Sequence, residues 1–339
     1  AWHLCRVSNA VDRSFTVTAP AVDPAAYREE LTGIVAREGV ELVVPVSEEI
    51  IHASHLRGLL PPGVRLYAMA PEVLLPLHSK AGFAALAARH GVPAPETHPA
   101  GSPGAAALVA RGPVVVKPVF SCSGRGVQFL ERGAVLPPPD PAVPAVVQAR
   151  VPGTVFTSFS IAHRGRLLVT VVYRGAVMSG TVAVCFERVP GHAAIEAWVD
   201  RFVAAAGFEG FISFDFVVDP DGVAWGIECN PRATSGIHFV DPADLAPAVI
   251  EPHAGRPVRF RAERCMQQFW PSLTEFQNAR GEHRRRCLHY LRTAKDVTWS
   301  ARDPLPLLTM PATAWNIIRM AAREGRPFGE VATRDVGWY

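Results

Sequence analysis

The chain is 339 residues long, 49% hydrophobic and 19% charged, with a formal net charge of +3. That length suits two or three domains, and the composition supports a large buried core and excludes a disordered chain. The near-neutral balance gives no case for a general nucleic-acid binder, and no apolar run approaches the roughly 20 residues that cross a bilayer.

The opening residues, Ala1-Trp2-His3-Leu4-Cys5-Arg6, lack a charged segment leading into an apolar one. No secretory signal is expected, and the start reads like the middle of a domain with some N-terminal structure missing. Six cysteines (Cys5, Cys122, Cys185, Cys229, Cys265, Cys287) form no CxxC pair, which argues against a metal knuckle or a disulfide scaffold and for reduced thiols in a cytoplasmic protein. Only three of the basic residues are lysines: Lys80, Lys117 and Lys295. In a chain that assigns nearly every generic cationic role to Arg, a retained lysine marks a place where a compact ammonium suits. Lys295, in a polar stretch, is the expected exception.

In chain order, Tyr27, Leu31, Ile34 and Val35 have helical spacing, and Leu42 to Val46 reads as a short buried strand. Ser47-Glu48-Glu49 opens another helix. Such alternation predicts a parallel α/β sheet. A helix is expected from Ser79-Lys80 to Arg89, closed by Gly91. Strands are expected at Val114–Val119 and Val127–Leu130 around the loop Ser121 to Gly126, then at Val146–Gln148, Thr154–Ala162 and Leu167–Tyr173. A helix over Ala193–Ala206 follows, then strands Phe211–Val218 and Val223–Cys229 around the turn Asp219-Pro220-Asp221-Gly222. From about residue 251 the chain becomes Arg-rich and mostly helical.

The last pair of strands carries Asp215, Glu228 and Asn230. Period-2 alternation puts Glu228 and Asn230 on one face. With Val218 opposite Val223, Asp215 would lie opposite Gly226, diagonal to Glu228 at roughly 7–8 Å. Two carboxylates and an amide oxygen suit Mg²⁺, whereas two unpaired acids on an apolar hairpin are costly. Arg232 follows closely enough to hold a carboxylate or phosphoryl group. The loop Ser121 to Gly126 presents small residues and backbone N–H groups between two strands, as a phosphate cradle does. No Gly-Lys-Ser/Thr follows it, so it is not a Walker A loop.

In this order the pieces resemble the ATP-grasp superfamily, and within it the carbamoyl-phosphate-synthetase-like members. The resemblance rests on Ser79-Lys80 with Gly91-Val92-Pro93-Ala94-Pro95, Val115-Val116-Lys117-Pro118, the 121–126 loop, Val147-Gln148 to Pro152-Gly153, and Phe214-Asp215-Phe216 to Glu228-Cys229-Asn230-Pro231-Arg232. It covers about residues 30 to 250. It implies an α/β (α+β) fold: a partial Rossmann-like α/β unit over 1–77, short by about one βαβ step, then an ATP-grasp domain over 78–250. That domain would have a lid at about 95–150 and a β-rich core, with the helical extension at 251–339 beyond it. It further implies that ATP lies between lid and core. Lys80 and Lys117 would contact phosphates and adenine, the loop residues Ser121, Ser123, Gly124, Arg125 and Gly126 would cover the phosphates, and Gln148 to Val151 would border the adenine. Asp215, Glu228 and Asn230 would hold Mg²⁺, and Arg232 matches a catalytic Arg of biotin-carboxylase-like relatives. Many relatives place acids where this chain reads Gln148-Ala149-Arg150 and Gly153-Thr154-Val155-Phe156.

The implied reaction is phosphorylation of a carboxylate by ATP, giving an acyl phosphate and ADP, then attack by an amine. The partners would be small molecules, amino acids among them, with neither nucleic acid nor membrane. A non-catalytic ATP-binding module, acting as sensor or scaffold, is the alternative. Ser235, Gly236 and His238 are candidates for the acceptor pocket. Arg284-Arg285-Arg286 is one short basic run with Glu282 beside it and reads as a solvated helix face. The segment from Ala301 to Tyr339 reads either as helical packing or as an oligomer contact, a homodimer in the simplest case.

Overall fold

The computed structural model describes residues 3–121, 124–326 and 328–338. Helix α1 (Pro24–Glu38) begins where Asp23 accepts the N–H groups of Ala25 and Ala26, with Pro24 filling the first position. Strand β1 (Leu42–Val43) is followed by α2 (Ile50–Ser54) and runs parallel to β2 (Arg65–Leu66). The strand expected over 42–46 is therefore shorter. Helices α3 (Pro71–His78) and α4 (Lys80–Arg89) meet at Ser79, whose hydroxyl accepts the Gly82 N–H at 3.2 Å. Helix α3 went unread because Pro76 lies inside it and masks its periodicity.

A four-stranded antiparallel sheet comes next. It contains β3 (Thr97–Pro99), β4 (Val114–Pro118), β5 (Gln128–Leu130) and β6 (Ala145–Ala149), in the order β3-β6-β4-β5. Helix α5 (Pro103–Arg111) covers one face, packing Leu108 and Val109 on Val114, Val116 and Val147. Strand alternation then turns Val115, Lys117 and Gln148 to the other face.

The larger sheet has seven strands in the order β11-β10-β7-β8-β9-β12-β13. Its first part is β7 (Thr154–His163), β8 (Arg166–Ser179), β9 (Val182–Arg188), helix α6 (Ala193–Ala206), β10 (Gly210–Val218) and β11 (Ala224–Asn230). On one face Trp198 and Phe202 of α6 pack with Phe214, Phe216 and Phe83 of α4, with ring centres 5.0–6.2 Å apart. Full burial stabilises by roughly 1.5–3 kcal/mol for a Phe-sized side chain, so this cluster anchors α4 and α6 to the hairpin. On the other face Phe159, Tyr173, Phe186, Phe211 and Phe239 form a second core.

After α7 (Pro242–Ile250), strand β12 (Cys265–Gln267) pairs with β9. Helices α8 (Phe269–Asn278) and α9 (Gly281–Thr293) lead to β13 (Lys295–Asp296), which pairs with β12. Helices α10 (Leu305–Glu324) and α11 (Phe328–Thr333) follow. The part after residue 251 is thus mostly helical, as expected, but it also extends the large sheet. Arg284, Arg285 and Arg286 are exposed on α9. Among the described residues no helix is long and apolar enough to cross a membrane.

Segments far apart in sequence interlock. Ser8 Oγ donates to Asp303 Oδ2 at 2.5 Å, Asn9 Nδ2 donates to Arg302 O at 2.6 Å, and Ala21 N donates to Asp335 O at 3.2 Å. The Trp338 ring stacks on His55 at 5.9 Å.

Candidate active site

The β10–β11 hairpin differs from the simple register. Asp219 accepts the N–H groups of Asp221 and Val223 and the indole N–H of Trp225, which fixes the turn. Val218 then faces Ala224 and Phe216 faces Gly226, but Asp215 faces Glu228, leaving Ile227 bulged. The expected pairing of Asp215 with Gly226, with Glu228 on Gly226's face, is corrected. Gly226 points into the aromatic core, where an added Cβ would lie 2.5 Å from Trp198 Cζ2. Unbroken alternation would drive Glu228 into that same core. The bulge turns it to the opposite face, directly across from Asp215 and closer than a diagonal pair.

Strands, helix and loop then bring charge to this point. Asp215 accepts the Thr157 hydroxyl at 2.8 Å and the Asn230 amide N–H at 3.3 Å. Burial, and Glu228 next to it, push the Asp215 carboxyl up to about 6. Lys80, buried at the start of α4, donates to Ser121 O at 2.9 Å and pairs with Glu228 at 3.2 Å. Its backbone N–H bonds Val119 O at 3.0 Å, tying α4 to the exit of β4. Lys117 donates to Gln148 Oε1 at 2.8 Å and to the carbonyl of the bulged Ile227 at 3.4 Å. Burial pushes its ammonium pKa down, Glu228 opposes that, and Lys80 adds to it. Gln148 is held in turn by an N–H bond to Thr97 Oγ1 at 3.0 Å.

Arg232 lies just past β11. Its guanidinium donates to Glu48 Oε1 at 2.6–2.7 Å through two nitrogens, to Asn230 Oδ1 at 3.2 Å and to Ala233 O at 3.0 Å. Glu48 is buried in the first α/β unit, with His78 Nε2 at 3.9 Å. Across the large sheet Glu228, Asp215, Thr157, Tyr173 and Arg188 stand side by side in register. Tyr173 donates to Thr234 Oγ1 at 3.0 Å, and burial pushes its hydroxyl above the usual range.

No family model and no curated protein matches the chain. Solved structures do. Pyruvate carboxylase T882A of Rhizobium etli matches with a TM-score of 0.55 at 17% identity, over 75% of this chain and 26% of that one. The biotin carboxylase domain of Hydrogenobacter thermophilus 2-oxoglutarate carboxylase, solved with MgADP, ADP and bicarbonate, matches at 0.50 and 15% identity over 62% and 53%. Campylobacter jejuni biotin carboxylase, solved as a β,γ-ATP complex, matches at 0.51 and 14% identity over 61% and 52%. The chain has the ATP-grasp fold. The chain spans about half the length of the two biotin carboxylase structures.

Within the ATP-grasp arrangement, three bonded groups (Lys80 with Ser121 and Glu228, Lys117 with Gln148 and the Ile227 carbonyl, Asn230 with Asp215 and Arg232) meet at the bulge where Asp215 faces Glu228. Gly124 and Gly126 (φ 72° and 71°) flank the half-buried Arg125, and Gly124 approaches Thr181 in the β8–β9 turn. Ser123 and Cys122 lie outside the described residues. Val151 is half-buried just after β6. Ser235, Gly236 and His238 share one helical turn, Ser235–Phe239. An added Cβ at Gly236 would overlap Phe159 and lie 2.8 Å from Tyr173 Cε1, so Gly236 serves close packing. His238 is not brought to the Asp215–Glu228 pair. Burial and the Arg261 charge push its imidazole pKa down, opposed by Asp296. Cys229 faces the core with its thiol pushed well up by burial, which removes it as a nucleophile.

Sequence reasoning missed Glu48 and Thr157. Glu48 read as part of a helix start, and Thr157 is signalled only by its place in the strand opposite Asp215. Among the described residues no three His, Cys, Asp or Glu side chains group as metal ligands; this set is two carboxylates and one amide. Its all-oxygen donors, with two acids crowded face to face on a half-buried surface, fit a hard dication.

Proposed function

We propose that this chain is an ATP-dependent carboxylate–amine ligase. A carboxylate oxygen attacks the γ-phosphorus of ATP, giving an acyl phosphate and ADP; an amine then attacks the acyl carbon and inorganic phosphate leaves. The observation that carries this reading is the face-to-face Asp215–Glu228 pair with Lys80 and Lys117 converging on the same bulge from α4 and β4.

Asp215, Glu228 and Asn230 would hold Mg²⁺, which supplies charge neutralisation to the phosphates when bound. Lys80 and Lys117 hold phosphate oxygens as point charges already oriented by Ser121 and Gln148. In this reading Gly124, Arg125 and Gly126, with Ser121 and Ser123, cover the phosphates, and Gln148 and Val151 border the adenine. The four-stranded unit at about 95–150 acts as the lid and excludes water from the labile acyl phosphate. Arg232, fixed by Glu48, steadies negative charge on the acyl phosphate and on the tetrahedral oxyanion. The acid and the amine are small molecules, amino acids among them.

The test is ADP and hydroxamate formation from ATP, Mg²⁺, hydroxylamine and pooled carboxylic acids. ADP with hydroxamate is expected. Glu228→Ala and Asn230→Ala should each lower the rate by about a hundredfold or more. Full activity in these variants, or AMP in place of ADP, would overturn the mechanism; binding of Mg·ATP with no turnover of any acid would favour a non-catalytic module.

A further inference from the structure

The ligase reaction leaves one proton without an acceptor on the protein. An amine basic enough to attack an acyl phosphate is an ammonium at neutral pH, and it must lose two protons in forming the amide. The departing phosphate carries one of them away. Lys80, Lys117 and Arg232 serve as cations in that reading, and Asp215 and Glu228 are assigned to Mg²⁺, so none of these takes the other.

One titratable side chain at this place has no part in the mechanism so far. His78 is the last residue of α3 and is buried. Its ring is held on two sides. It stacks on Phe120, the residue that leads from β4 towards the 121–126 loop, with ring centres 5.8 Å apart and planes at 26°. Its Nε2 faces Glu48 Oε2 at 3.9 Å, while Glu48 Oε1 holds Arg232. One carboxylate therefore stands between the guanidinium and the imidazole. A carboxylate beside Nε2 favours the tautomer with its proton there, which leaves the Nδ1 lone pair to accept. The charges around the ring oppose one another. Burial sets its pKa below the usual value, Glu48 and Glu228 pull it up, and Lys80 and Arg232 push it down, so the ring is neutral at pH 7. Glu228 and Arg232 remain part-exposed, so the site is open to solvent at two of the groups whose charges act on the ring.

We propose that His78 is the base that deprotonates the amine substrate, with Glu48 steadying the imidazolium that forms. The proposal rests on the ligase reading, and it specifies the amine as one that reaches the site as an ammonium. Nδ1 takes one proton of the ammonium, and the freed nitrogen lone pair attacks the acyl carbon. The bond from that carbon to the phosphate oxygen breaks, the second N–H proton leaves with the phosphate, and the imidazolium returns its proton to water. Contact between Nε2 and Glu48 is longer than a hydrogen bond while the ring is neutral, and it shortens once the ring is charged. Glu48 would thus serve both halves of the reaction, holding Arg232 through one oxygen and the charged His78 through the other.

The test uses the acid that the pooled hydroxamate assay identifies, with ammonium or hydroxylamine as the nucleophile at neutral pH. Hydroxylamine is a weak base and is largely unprotonated there, whereas ammonia is held as ammonium. His78→Gln keeps a polar group beside Glu48 but takes up no proton. It is expected to lose about a hundredfold of the ammonium-dependent rate, and at least about tenfold less of the hydroxylamine rate. In the unaltered protein the ammonium-dependent rate should level off above about pH 6.5. In His78→Gln it should keep climbing by about tenfold per pH unit, following the free amine. Equal losses with the two nucleophiles would overturn the role. So would the same unbroken climb in the unaltered protein, a measurement that does not depend on the variant folding. No hydroxamate from any acid would remove the ligase reading and this role with it, whereas hydroxamate with equal losses removes this role alone.

Discussion

Arg232 reaches out of the β-rich sheet to a carboxylate that belongs to the first α/β unit, so one buried ion pair joins two parts of the chain. Removing one member of such a pair leaves the other desolvated and uncompensated. Glu48→Ala is therefore expected to destabilise the protein by roughly 3 kcal/mol, with Glu48→Gln in between, measured by chemical denaturation. If Arg232 acts through its orientation, Glu48→Gln should also lower kcat more than it raises KM. His78 beside Glu48 makes a pH prediction. Burial holds its imidazole below the usual value; Glu48 and Glu228 pull it up, while Lys80 and Arg232 push it down. Below about pH 6.5 the unfolded chain takes up a proton there that the folded chain resists. The stability present above that pH is lost as pH falls through it. His78→Gln should flatten this acid limb, read as unfolding midpoints from pH 7.5 to 5.5, and an unchanged limb would place the sensitivity in another group.

The hairpin of β10 and β11 depends on one residue without a side chain. Gly226→Ala puts a methyl 2.5 Å from Trp198, and overpacking of this kind costs about 1–3 kcal/mol. The expected result is a lower melting temperature with the Asp215–Glu228 face intact, checked by calorimetry and by Mg²⁺ titration of the folded variant. At this scale the sequence was legible where one period ran unbroken. Helix α6 falls on the expected 193–206, and β7 and β10 start and stop within a residue of expectation. The candidate residues on these elements were legible by type, because acids among apolar strand residues are rare enough to need a reason. The bulge was not legible. It arises from competition between the packing of Gly226 on Trp198 and the cost of burying Glu228, and both depend on a helix some 30 residues earlier in the chain. Glu48 escaped for a similar reason, since its partner lies 184 positions away.

At the scale of the whole molecule, β12 and β13 cover the edge of β9. A chain ending at Ile250 would bare Val182–Arg188 as an unpaired edge with apolar residues on both faces. Such a shortened protein is expected to self-associate, visible by size-exclusion chromatography and light scattering, while the longer chain does not do so through this edge. The contacts of Ser8 and Asn9 with Arg302 and Asp303 have a bearing on how the protein is made. Ser8 and Asp303 are 295 positions apart. A ribosome adding roughly 5–20 residues per second needs about 15 to 60 s to cover that interval. Through most of that interval the Ser8 segment is outside the ribosome while its partner has not been translated. The Ser8–Asn9 segment therefore waits for its native neighbours while the intervening chain is made, and its protection from proteases during synthesis is set by the speed of translation and not by the stability of the finished fold.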